Sequence, residues 1–203
     1  VLSDLYYWAA NSSVDTLLPL QNFFSVFYPD LDTNASGAVY LRDPQGRVLG
    51  MRPFQVPSHG LVTLRVSQVL KELGVSVPEQ YGSLWCDYRI PPSVLQTLKP
   101  DEPFYFWDRF YLGYLSADQQ PCFVHGVDKT FISNTKDNGL LAATAFRPFH
   151  PSGKRYTWVP EIPVNIQLYT RFSVVLINRT ARPATLVLTV ADREDRSRQW
   201  SAT

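Results

Sequence analysis

A chain of 203 residues that is 45% hydrophobic and 14% aromatic, with 16 Pro and 10 Gly, is long enough to bury a sizeable core. Aromatic residues suit pleated surfaces and Pro interrupts helices, so this composition excludes a coiled coil, a helical bundle and a disordered chain. The 19 basic and 18 acidic residues leave a formal net charge of +1, too small a field to draw the chain to nucleic acid or an acidic membrane.

Residues 1–20, with Tyr6, Tyr7 and Trp8 ahead of Asn11-Ser12-Ser13, read as an N-terminal arm that docks on the body. From Asn22 the pattern turns to β: Phe23 to Tyr28 reads as a strand stopped by Pro29-Asp30, and a polar loop over 32–37 leads to a strand at Ala38 to Leu41. Asp43-Pro44-Gln45-Gly46 predicts a hairpin turn, because Pro presets φ at its second position and Gly tolerates left-handed geometry. A return strand over 47–54 follows, then a strand at 61–64. Ser67 to Leu73 predicts a short helix with Gly74 at its C-cap position.

Tyr81 to Tyr88 predicts a strand with Leu84, Cys86 and Tyr88 on one face. Pro91-Pro92 can open only a short helical turn ending near Leu98. Phe104 to Leu115 is the densest feature, with seven aromatic residues in twelve. Read as one strand, it puts Tyr105, Trp107, Arg109 and Tyr111 on one face and Phe104, Phe106, Asp108 and Phe110 on the other. Further strands are expected at 123–127 and 140–146, with a Pro- and Gly-containing connection over 147–158.

One internal repeat stands out. Phe24-Ser25-Val26 recurs as Phe172-Ser173-Val174, and Val39-x-Leu41-x-Asp43 recurs as Leu188-x-Val190-x-Asp192. The expected organisation is therefore an arm over 1–20, a β-sandwich over 21–150, and a partial second β-unit over 151–203 that repeats the 22–54 pattern and either completes the same sandwich or opens another. The expected fold is all-β: an antiparallel sandwich, Ig-like or jelly-roll-like, with one or two short helices in connections.

No apolar run approaches the roughly eighteen residues of a membrane helix, so no membrane insertion is expected. The chain opens on Val1 without an initiator Met, which reads as a fragment or as a chain that has shed a leader. The two cysteines, Cys86 and Cys122, either form one bridge useful to a secreted protein or remain two buried free thiols. Three N-x-S/T tripeptides, at Asn11, Asn34 and Asn178, fit the glycan-acceptor pattern, although so short a pattern recurs by chance. These clues favour a secreted or periplasmic location over the cytoplasm. Residues 152–203 hold 8 basic and 4 acidic groups. Arg193, Arg196 and Arg198 interleave there with Asp192, Glu194 and Asp195, as in a solvated hairpin turn rather than a phosphate-binding patch.

No nucleophile elbow, phosphate-binding loop, dinucleotide fingerprint, H-E-x-x-H or C-x-x-C occurs. Of the three histidines, His59 and His150 sit in turn-like contexts. His125 has a carboxylate nearby in Asp128, and with Cys122 or Ser133 as nucleophile the pair is the one candidate for hydrolysis. A spacing of three on a strand does not bring two side chains together as it would on a helix. The scattered carboxylates lack calcium-loop spacing, and no metal or cofactor is expected. The leading functional reading is a non-catalytic module that presents an aromatic strand or an exposed sheet edge to a protein partner or to a copy of itself. The alternatives are carbohydrate binding through Tyr105, Trp107 and Tyr111 with Arg109 beside them, and a hydrolase centred on His125 and Asp128.

Overall fold

The computed structural model describes residues 2–98, 103–105, 111–125, 131–134 and 141–144, then 188–191 and 199–202 with the single positions 175, 177, 185, 187 and 197. The chain divides into two compact units, Val1–Ile162 and Pro163–Thr203.

In the first unit, strands β1 (Leu2–Ala9), β2 (Val14–Gln21), β3 (Ala35–Arg42), β4 (Val48–Val56) and β5 (Leu61–Arg65) precede β6 (Tyr81–Arg89), with helices α1 (Phe24–Phe27) and α2 (Val66–Glu72) between them. Helix α3 (Pro92–Thr97), β7 (Pro103–Tyr105), β8 (Tyr111–Ser116), β9 (Pro121–His125), β10 (Phe131–Asn134) and β11 (Leu141–Thr144) follow. Sheet A has the order β1-β6-β3-β4, sheet B the order β5-β2-β8-β9 and a smaller sheet C the order β11-β10-β7. Every pairing is antiparallel. The fold is an all-β sandwich with short helices in its connections. The second unit contributes a hairpin of β12 (Leu188–Ala191) and β13 (Gln199–Ala202), with Val190 opposite Trp200.

Period-two alternation builds the core. Tyr6 and Trp8 of β1, Val39 and Leu41 of β3, Phe54 and Val56 of β4, and Leu84, Cys86 and Tyr88 of β6 face one way from sheet A; they meet Leu18 and Leu20 of β2 and Leu112 of β8 in a single apolar cluster. The helices close its rim with Phe23 and Phe24 at α1, Val66, Val69 and Leu70 of α2, and Val94 of α3. The Tyr88 ring lies 5.5–5.7 Å from those of Phe23, Phe24 and Phe54, so one side chain ties α1 to sheet A. Burial of side chains of this size supplies about 1.5–3 kcal/mol each before entropy is counted.

Three local predictions hold. The Asp43 carboxylate accepts from Gln45 N at 3.0 Å and Arg47 N at 2.8 Å, and Gly46 takes φ +80°, so 43–46 is the hairpin turn between β3 and β4. Helix α2 ends in a Schellman motif: Val75 N donates to Leu70 O, Gly74 N donates to Lys71 O, and Gly74 sits at φ +66°. Leu84, Cys86 and Tyr88 are all buried on one face of β6.

Four readings differ. Phe23 to Tyr28 is not a strand but the single turn α1 with its flanks, Tyr28 N donating to Phe24 O. Phe23 and Phe24 are both buried, with ring centroids 4.3 Å apart, while Val26 and Phe27 are 69% and 62% exposed. A strand sends consecutive side chains to opposite faces, whereas a helical turn keeps neighbours on one side. This turn makes three helices among the described residues where one or two were expected. Residues 1–20, read as an arm, supply β1 in sheet A and β2 inside sheet B. Their turn crosses between the layers, and Thr16 Oγ1 donates to Ala9 O and accepts from Ala9 N. Phe104 to Leu115 is not one strand: β7 pairs with β10 while β8 pairs with β2 and β9, so the chain changes sheets between Tyr105 and Tyr111. Both cysteines are free thiols, Cys86 buried and Cys122 exposed, which differs from two buried thiols.

Candidate functional site

Sheet B ends at β9, an edge among the described strands. Leu112 and Tyr114 of β8 face the core, and their Cα partners on β9 are Val124 and Cys122; Gly113 and Leu115, both buried, lie on the other face of the sheet opposite Phe123 and Pro121. The position at Gly113 is a dimple: a Cβ there would meet the Phe123 ring at 2.8 Å and the Leu17 Cβ at 3.3 Å. Glycine lets the Phe123 ring lie flat across the sheet. The ring is still 54% exposed and Val124, on the opposite face, 39%. Cys122, on the same face as Val124, is exposed as well. Behind the strand, burial pushes the Tyr114 phenol up to about 12, with Tyr7 and Cys122 adding to the effect. Its hydroxyl donates to Tyr7 O at 2.8 Å, pinning β8 to β1.

Comparison with the other edges sharpens this feature. Proteins blunt exposed edges with charges, with Pro, or with inward-pointing charged residues. Strand β4 carries Arg52 and Pro53, β1 carries the buried Asp4, and β5 ends on Arg65. Strand β9 reads Pro-Cys-Phe-Val-His, with no Lys, Arg, Asp or Glu and its Pro only at the first position. Among the four outer strands described for sheets A and B it is the one without a Lys, Arg, Asp or Glu.

The residues predicted from sequence fall as follows. Tyr111, 43% exposed, is the Cα partner of His125, so two candidates chosen for unrelated reasons are cross-strand neighbours at this edge. Tyr105 stands in sheet C opposite Phe131, away from the strand that holds Tyr111. Trp107, Arg109 and Asp128 lie outside the described residues, as do His150 and Asn178. The described residues therefore assemble neither the aromatic row Tyr105-Trp107-Tyr111 nor the His125–Asp128 pair. Among them, no group of three or more His, Cys, Asp or Glu converges as a metal site, and no helix is long and apolar enough to cross a membrane.

Sequence reasoning missed a second surface. Leu5, Trp85, Tyr40 and Met51 are successive Cα partners across β1, β6, β3 and β4, on the side of sheet A away from the core. The Tyr7 and Tyr81 rings, 6.0 Å apart, belong to the same side. Alternation along β6 already opposed Trp85 to the buried Leu84, Cys86 and Tyr88; only the pairing register could add its neighbours. A third cluster is a clasp at the end of the sandwich. Asn22 Nδ2 donates to the backbone oxygens of Thr33, Val56 and Pro57, Ser25 Oγ bonds Thr33 Oγ1 at 2.6 Å, and His59 N donates to Ser25 Oγ at 2.8 Å. These bonds hold the 29–34 and 57–60 loops together, a structural task.

No family model, curated protein or solved structure matches this chain.

Proposed function

We propose that this chain is a non-catalytic β-sandwich module that associates with a copy of itself, or with a protein partner, by adding a strand at β9. The observation that supports the reading is an edge strand without a charged side chain whose Phe123 and Val124 are exposed on opposite faces. A backbone edge with no partner among the described strands, flanked by apolar side chains, is what strand addition uses: main-chain hydrogen bonds give affinity and alternate side chains give specificity. Light scattering coupled to size exclusion tests it. The chain should run as a discrete oligomer that Phe123→Lys returns to monomer with unchanged far-UV circular dichroism. A monomer at every concentration up to about 100-fold above the midpoint expected for a micromolar interaction would sink the self-association arm. An oligomer indifferent to Phe123→Lys and Val124→Asp would sink the edge itself.

Carbohydrate binding is the second reading, and it draws on sheet A rather than on the 104–111 segment. A row of apolar and aromatic side chains across four strands, with Arg42 and Asp87 in the neighbouring outward positions, offers flat faces for sugar rings and polar groups for hydroxyls. Tyr40→Ala should then abolish retention on a glycan array without lowering the melting temperature by more than a few degrees.

A further inference from the structure

Two of the three N-x-S/T tripeptides lie in the described structure, and their acceptor amides are in opposite states. Asn34 is built into a loop: its Nδ2 donates to Asp32 Oδ1 at 2.7 Å, its Oδ1 accepts from Ser58 N at 3.0 Å, and the following Ala35 is buried at the start of β3. Asn11 stands at the exposed tip of the turn between β1 and β2. Its Oδ1 accepts from Ser13 N at 2.8 Å and Val14 N at 3.0 Å, while its Nδ2 makes no hydrogen bond among the described residues. The Asx turn fixes the carbonyl end inward and leaves the amide nitrogen pointing to solvent. The tip is itself anchored, because Ala117 N donates to Ser13 O at 3.0 Å.

The ground beside Asn11 is polar. A hollow of about 210 Å³ is lined by Asn11, Ser12, Asp15, Arg65, Ser116 and Gln119, among others. Asp15 is held in place there by Ser67, whose Oγ donates to Asp15 Oδ2 at 2.6 Å. A carboxylate, a guanidinium, an amide and a hydroxyl around one hollow offer both donors and acceptors to sugar hydroxyls.

We propose that Asn11 is the acceptor of an N-linked glycan and that Asn34 is not, the first sugar resting over this hollow. In the transfer, Asn11 Nδ2 forms a bond to C1 of the reducing-end sugar of a lipid-linked oligosaccharide diphosphate. The C1–O bond to the diphosphate breaks, the diphosphate leaves with the bonding electrons, and the amide gives up one proton to the transferase. The folded chain accommodates this at Asn11 without losing a hydrogen bond, because both turn bonds end on Oδ1. At Asn34 the same reaction sacrifices the bond to Asp32.

The test is secretion of the 203-residue chain from a eukaryotic host behind a cleavable leader, then enzymatic release of N-glycans in heavy-oxygen water and peptide mass spectrometry. Asn11 should be recovered as labelled Asp and Asn34 as Asn. Asn11→Gln and Ser13→Ala should each remove the glycan shift at this site, and Asn34→Gln should leave it. Ser13→Ala keeps the backbone N–H that closes the turn, so its effect reports on the missing hydroxyl rather than on folding. A folded, secreted chain with Asn11 bare, whether or not Asn34 or Asn178 is occupied, overturns the proposal.

Discussion

Trp8 shows how much of the fold one side chain can carry. It is fully buried, and its indole Nε1 donates to Arg42 O at 3.0 Å and to Ser83 O at 3.1 Å, so it joins β1 to the ends of β3 and β6. Trp8→Phe removes volume and leaves two carbonyls without that donor. A loss of about 2–4 kcal/mol in urea unfolding is expected, and a loss under 1 kcal/mol would mean the site re-packs freely. Asp43 carries a pH dependence. Burial alone would raise its pKa, but side-chain and backbone hydrogen bonds from Arg47, and its charge, outweigh burial and hold the carboxyl below the usual 3.8. A depressed carboxylate stabilises the folded state above its unfolded pKa, and that contribution disappears as pH falls through the folded value. Asp43→Asn should therefore be less stable than the parent at neutral pH, with the gap closing below about pH 3.8, as thermal melts across pH would report. The thiols should separate as cleanly. Burial, with Asp4 and Asp87 adding to it, pushes the Cys86 thiol well up, whereas Cys122 is exposed. Ellman titration should find one reactive thiol in the native chain and two after denaturation; two in the native state would contradict the buried position of Cys86.

At the scale of elements, the end of α2 depends on one left-handed residue. Gly74→Ala should cost about 1 kcal/mol, read as a lower denaturation midpoint with an unchanged denaturant slope. No atom lies within 4 Å of a Cβ added there, so the penalty would be conformational rather than steric. Strand β9 is the opposite case, an element whose local sequence is at ease and whose placement is exposed. Phe123 covers Gly113, so Phe123→Lys removes an apolar contact from the edge and adds a charge to it. It should therefore act chiefly on association and only modestly on the monomer. Helix α1 exists because Phe23 and Phe24 both enter the core beside Tyr88, against the β preference of its own residues.

At the scale of the whole molecule, the described strands of sheets A and B leave four lateral edges, and three of them carry a charge or an internal Pro. Self-association at the fourth predicts a closed two-fold pairing of β9 with β9, because a strand that is used up by one copy has no second edge to offer. Light scattering should then show a dimer whose mass does not climb with concentration; a continuing rise would point to open-ended association. The Asn11 tip and the β8–β9 turn meet through Ser13 and Ala117, so a glycan at Asn11 would sit near one end of that edge and limit how far a partner strand can extend.

Much of the local architecture was legible in the residues themselves. Asp43-Pro44-Gln45-Gly46 specified a turn, Gly74 ended a helix, and the alternation of Leu84, Cys86 and Tyr88 marked a strand with one buried face, because each depends on backbone sterics or side-chain period within a few residues. The all-β class followed from the same signals summed along the chain. What only the tertiary structure decided is non-local. The passage from Tyr105 in sheet C to Tyr111 in sheet B, the insertion of residues 1–20 into both layers, the turn at Phe24–Phe27, the row Leu5-Trp85-Tyr40-Met51 and the exposure of β9 all depend on which strands lie side by side. Alternation records that one face of a strand is covered; it carries no information about which strand does the covering, since pairing partners are chosen by complementary packing across long loops.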